Sequence, residues 1–107
     1  MTRPRPPARH EVPAIDAAAL AAARWADRLL GAARDRGSSR WIEILEPIPD
    51  QLRDAEPAVL RAVARRARAA YGTKDSIREI LPDELTLPFR DALDRLLGEL
   101  ARHELRR

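Results

Sequence analysis

RWIEILEPIP, residues 40–49, decides the fold. On side-chain preference alone, its isoleucines and tryptophan suit a strand. The period points the other way. Trp41, Ile42, Ile44, Leu45 and Ile48 fall at i, i+1, i+3, i+4 and i+7, which gathers them on one face of a helix but scatters them over both faces of a strand. Read as a helix, the segment is expected to be capped by Ser39 and stopped by Pro47 and Pro49. The following PDQLRD, residues 49–54, then adds about one further turn.

With that segment helical, nothing on either side demands a sheet. N-terminal to it, DAAALAAARWADRLLGAARDRG (residues 16–37) consists almost entirely of helix formers. Asp16 is placed to cap this helix and Gly37 to close it. Ile15, Ala18, Ala22, Trp25, Leu29 and Ala32 recur at spacings of three and four, so they predict an apolar stripe whose alanines let a neighbouring backbone come close. C-terminal to it, Asp54 is expected to cap a third helix that tolerates Pro57 in its first turn and ends at Gly72. Leu60, Val63, Ala64, Ala67 and Tyr71 form its predicted buried face.

A short helix follows within TKDSIREILP (residues 73–82). Ser76 and Glu79 have the spacing of a capping box there, with Thr73 and Asp75 as alternative caps. PDELTLP (82–88) reads as a connection. Pro88 then opens the final helix, PFRDALDRLLGELARHEL, in which Phe89, Leu93, Leu96, Leu97 and Leu100 make the apolar stripe and Asp91 pairs with Arg95 on the wet side. The expectation is an all-α fold: a compact bundle of three long and two short helices in a single domain, residues 14–105. A flexible arm rich in proline and arginine, residues 1–13, precedes it.

Composition narrows the chemistry. The 107 residues suffice for one core. The absence of cysteine excludes disulfides, thiolate nucleophiles and cysteine-ligated zinc. TRPRPPARHEVP after Met1 lacks the apolar run of a secretory leader, so a soluble cytoplasmic protein is expected. Lys74 is the sole lysine among 20 basic residues, a bias that, with the wealth of alanine and proline, suggests GC-rich bacterial coding. The net charge of +3 resides at the ends. Arg3, Arg5 and Arg9 outweigh Glu11, and Arg102, Arg106 and Arg107 outweigh Glu104, so the body between carries no cationic excess.

An enzyme is not expected. His10 and His103 are the only neutral-pH bases, one in the arm and one near the C-terminus. Glu99 and His103 share a face at i,i+4, but a di-iron bundle would need Glu-x-x-His pairs on two helices. No cofactor, metal or small-molecule substrate is therefore expected. GTKDS (72–76) lacks the spacing of a phosphate-binding loop and no strand precedes it. Only a weak anion role for Lys74 and Arg78 at the following helix start survives.

LRAVARRARAAYGTKD (residues 60–75) remains. Arg61, Arg65 and Arg68 share one helical face, Arg66 lies to its side, and no acid occurs from Pro57 to Thr73. The candidate binding residues are therefore Arg61, Arg65, Arg68, Lys74 and Arg78, and the expected function is a small non-catalytic interaction or accessory protein. Its partner would be another protein or a second copy of the chain. The alternative is a DNA- or RNA-binding regulator using the same arginines and the basic tails. Against a helix-turn-helix, the turn glycine falls one residue late and Arg66 occupies a position that should be apolar. The competing intramolecular expectation is that these arginines face water or the acids of the last helix, Asp91, Asp94 and Glu99.

Overall fold

The structure, a computed structural model, describes residues 7–72 and 76–105, and among them it contains helices and no strand. Helix α1 spans Pro13–Asp35, α2 Ser39–Leu45, α3 Ile48–Asp54, α4 Pro57–Arg68, α5 Ile77–Ile80 and α6 Asp83–Leu105. Single 3₁₀ turns precede α1 at Arg9–Glu11 and extend α4 at Ala69–Tyr71. RWIEILEPIP is accordingly helical on both sides of Pro47, and the chain is an all-α bundle.

Helices α1 and α6, each 23 residues long, form the principal packed pair. Ala18, Ala19, Ala22, Ala23, Ala26 and Ala33 are buried along α1. Small side chains at six such positions leave room for the bulky buried stripe of α6, Phe89, Leu93, Leu96 and Leu100. Helices α2 and α3 fold back on α1, while α4 packs on α6 through Leu60, Val63, Ala64 and Ala67. Trp41, Leu45, Ile48 and Leu52 join the same apolar cluster, so the bundle has one core. Ile44 departs from the predicted face: it is 39% exposed.

Several boundaries differ from expectation, each for a local reason. Helix α1 begins at Pro13 rather than after Asp16, because proline is tolerated at the first helical position, where its missing N–H would have no partner. Asp16 is then free to bind Arg9. Asp54 ends α3 instead of capping α4; the cap position belongs to Glu56, whose side chain makes no cap bond and instead accepts the Arg9 amide at 2.8 Å. Ser38, not Ser39, is the cap residue of α2, and it too makes no side-chain cap bond.

The largest correction is at residues 82–88. PDELTLP is no connection: α6 starts at Asp83 and runs through Pro88. The Pro82 carbonyl accepts the amides of Leu85 and Thr86, at 3.0 Å each, which starts the helix a turn and a half earlier than Pro88 would allow as a first residue. Burial of Leu81 and Thr86 anchors this extra length against the cost of an interior proline. The three expected long helices are α1, α4 and α6, of 23, 12 and 23 residues, and the short helices among the described residues are α2 and α3, of 7 each, and α5, of 4.

Two helix ends match their sequence signals. The Ser76 hydroxyl accepts the Arg78 amide at 3.2 Å, capping α5. Gly37 closes α1 at φ 64°, with its amide on the Arg34 carbonyl and the Ser38 amide on that of Ala33, the paired bonds of a Schellman motif. Of the arm, residues 1–6 lie outside the described residues. Arg9 does not project into solvent: it is buried, its Nε–H donates to Asp16 Oδ1 at 2.6 Å and its Nη1–H to the Ala55 carbonyl at 3.2 Å.

Candidate functional site

Helix α4 carries the arginines singled out by the sequence, and its buried face fixes where they point. With Leu60, Val63, Ala64 and Ala67 turned inward, Arg61 and Arg68 flank α6, Arg65 faces outward and Arg66 turns toward α2. Arg61 Nη1 lies 2.5 Å from Glu104 Oε1, and the Arg68 Nε–H donates to Asp94 Oδ1 at 2.9 Å. Donation of this hydrogen bond to the Glu104 carboxylate raises the pKa of the Arg61 guanidinium above its ordinary value. Arg68 also stacks over the Tyr71 ring, 5.3 Å from its centroid.

Arg61 and Arg68 are thus compensated from within, the outcome expected of the intramolecular alternative, although Glu104 rather than Glu99 serves Arg61. Glu99 faces Arg102 at 3.2 Å. Asp91 meets Arg90 at 3.4 Å and not the anticipated Arg95. Arg78 is exposed and its Nε–H reaches Asp83 Oδ1 at 3.4 Å. Lys74 lies outside the described residues. Arg65 and Arg66 differ from their neighbours: both are exposed, and among the described residues neither side chain makes an ion pair or hydrogen bond.

Arg66 borders a groove of about 240 Å³ between α2 and the end of α4, lined also by Arg40, Trp41, Ile44, Ala69, Ala70 and Gly72. Among the described residues its rim carries two guanidinium groups and no acid. Arg40 lies over the Trp41 ring at 5.4 Å, and Trp41 itself is buried. On the opposite side of α2 the signs reverse. Ser39, Ile42, Glu43, Glu46, Pro47 and Asp50 line a shallow depression of about 590 Å³ without a basic residue. The Glu43 and Glu46 side chains are exposed and unpaired among the described residues, while Asp50 has only Arg53, at 4.0 Å.

Neither groove was legible in the sequence. The i,i+4 placement of Arg40 and Ile44, against Glu43 and Glu46 on the other side of the same helix, was the available signal; what hid it was the assignment of Ile44 to the core.

The titratable inventory is dispersed. His10 is exposed beside Glu11, and His103 lies near Arg61, Glu104 and Pro7 at the far end of α4. Among the described residues no three histidine or carboxylate groups converge as metal ligands. No helix there is long and apolar enough to cross a membrane.

The chain matches no protein-family model, and no curated protein or solved structure is found to be similar to it.

Proposed function

We propose that this chain is a small non-catalytic interaction protein that docks the acidic surface of a protein partner on the outward edge of α4, centred on Arg65 and Arg66. One observation carries the reading: these two arginines are exposed and have no ion pair or hydrogen bond among the described residues, while Arg61 and Arg68 on the same helix are each bonded to a carboxylate of α6. A guanidinium with no internal partner retains its full capacity for a bidentate bond to an incoming carboxylate. A bacterial cytoplasm is the setting that the composition favours.

A nucleic acid is the less favoured partner because phosphate affinity grows with the number of cations engaged, and Glu43, Glu46 and Asp50 lie just across α2 from the groove. The aromatic faces are also occupied: Arg28 covers Trp25 at 4.7 Å, Arg40 covers Trp41 and Arg68 covers Tyr71.

Recovery of native complexes from the source cell, with a nuclease-treated control, tests the proposal. The double variant Arg65→Gln/Arg66→Gln is expected to lose the protein partner, whereas Arg61→Gln/Arg68→Gln retains it. Retention by both variants would reduce the face to a solvated surface. Nuclease-sensitive retention, falling log-linearly with salt, would transfer the site to a nucleic acid.

A further inference from the structure

Helix α2 separates two surfaces of opposite sign on one molecule. On one side lies the groove of Arg40, Ile44 and Arg66; on the other, the depression of Ile42, Glu43, Glu46 and Asp50. Some such groups pair across helices in the bundle, among them Arg53 with Asp27, Arg61 with Glu104 and Arg68 with Asp94. Beside α2, Arg66, Glu43 and Glu46 lack an ion pair among the described residues. Each surface also presents an isoleucine, Ile44 at 39% exposure and Ile42 half-buried, so each combines an apolar centre with a charged rim.

We propose that the occupant of the basic groove is the acidic α2–α3 face of a second copy of this chain, in a head-to-tail contact. Glu43 and Glu46 of one copy meet Arg66 and Arg40 of the next, with Ile42 and Ile44 between them. The proposal rests on the reading of the α4 edge as a docking surface and names its partner. Charge complementarity supplies the argument: both halves are present on every copy, and they lie on opposite sides of one short helix, so a copy that uses its groove still offers its acids. Such a contact is heterologous and does not close on itself by a two-fold axis; it continues from copy to copy unless a ring forms. The patches are small, which places the association at the weak end of specific interfaces.

Sedimentation equilibrium of the full chain, from micromolar to near-millimolar protein at low salt, tests this. The wild type is expected to show an average mass that rises past the dimer with concentration and returns to the monomer at high salt. Arg66→Glu, which spoils the groove, and Glu43→Arg/Glu46→Arg, which spoils the acids, should each be monomeric alone. Mixed in equal amounts, the neutral variants Arg66→Gln and Glu43→Gln/Glu46→Gln retain one good surface each and create no reversed pair, so they should form a one-to-one dimer and grow no further. Should a charge reversal abolish the helical circular dichroism, Arg66→Gln and Glu43→Gln/Glu46→Gln take its place, and each is expected to weaken association at least tenfold. A wild type that stays monomeric throughout, association that survives in both variants, or a mixture that gives no dimer would each overturn the proposal. A monomeric wild type that still retains a foreign acidic protein through Arg65 and Arg66 would remove this inference and leave the docking role of the α4 edge standing.

Discussion

The Tyr71 hydroxyl donates to the carbonyl oxygen of Thr86 and lies beside the amide of Arg90, so a side chain from the end of α4 reaches the two backbone groups that ordinarily bond each other across one turn of α6. This contact falls in the stretch where Pro88 has already removed a donor from the same helix. It ties the extra length of α6 to α4 and explains why residues 83–88 hold a helix that proline alone would disfavour.

Burial pushes the Tyr71 phenol up from its ordinary value of 10.0, with the Arg68 cation opposing the shift in part. The neutral phenol therefore stabilises the folded chain in full below pH 10, and that contribution drains away as the pH climbs further, because the unfolded chain ionises first. Urea midpoints of the wild type are expected to fall more steeply above that pH than those of Tyr71→Phe. At neutral pH Tyr71→Phe should cost about 1 to 3 kcal/mol, since it leaves a partly buried carbonyl without its donor. Tyr71 is the only tyrosine, so its phenolate absorbance follows the titration directly.

Thr86 is fully buried, and its Oγ1 finds no hydrogen-bond partner. Thr86→Val keeps the shape and removes the orphaned hydroxyl, and is expected to stabilise the chain by about 1 kcal/mol. A higher denaturant midpoint with an unchanged slope would bear this out. A lower midpoint would mean that the hydroxyl is satisfied in solution.

Leu60 and Leu96 are completely buried on α4 and α6. Either change to alanine should cost about 2 to 5 kcal/mol, enough to threaten a domain of this size. Arg66→Ala, on the exposed side of α4, should stay within about 0.5 kcal/mol of the wild type. Chemical denaturation of the three variants checks the rotation of α4, and a large loss for Arg66→Ala would contradict it.

Arg9 clamps the residues before α1 to the α3–α4 junction through the Ala55 carbonyl and the Glu56 carboxylate, and to α1 itself through Asp16. Arg9→Ala is expected to cost about 1 to 3 kcal/mol. Arg9→Lys should restore little, because one ammonium does not reproduce the divergent donors of a guanidinium. Asp16→Asn should cost less than Arg9→Ala, as the Asp16 side chain is 40% exposed. Faster proteolysis before Pro13 in Arg9→Ala, but not in the wild type, would identify the same clamp.

Periodicity carried most of the architecture. The stripes Leu60, Val63, Ala64, Ala67 and Phe89, Leu93, Leu96, Leu100 were readable because burial on a helix repeats every three or four residues, whatever the partner. Gly37 and Ser76 were readable because their roles are local. Residues 82–88 misled because Pro88 suits a first helical turn, and the contact from Tyr71 that favours a longer helix is a tertiary one. Asp16 misled for the same reason: its partner, Arg9, sits outside the helix it seemed to cap. The candidate site suffered most. Arg61 and Arg68 looked uncompensated because their carboxylates, Glu104 and Asp94, belong to a helix remote in sequence, so only folding reveals that the arginines of α4 without an ion pair among the described residues are Arg65 and Arg66.

At Gly37 the added Cβ of any other residue would meet nothing within 4 Å, yet the φ of 64° is one that such residues resist. Glycine is therefore demanded there by torsion rather than by space, and the turn sets the angle at which the polypeptide leaves α1. Since the very next segment bears the cations on one flank and the carboxylates on the other, a residue with no side chain acts as a compass for the molecule's outward electrical polarity.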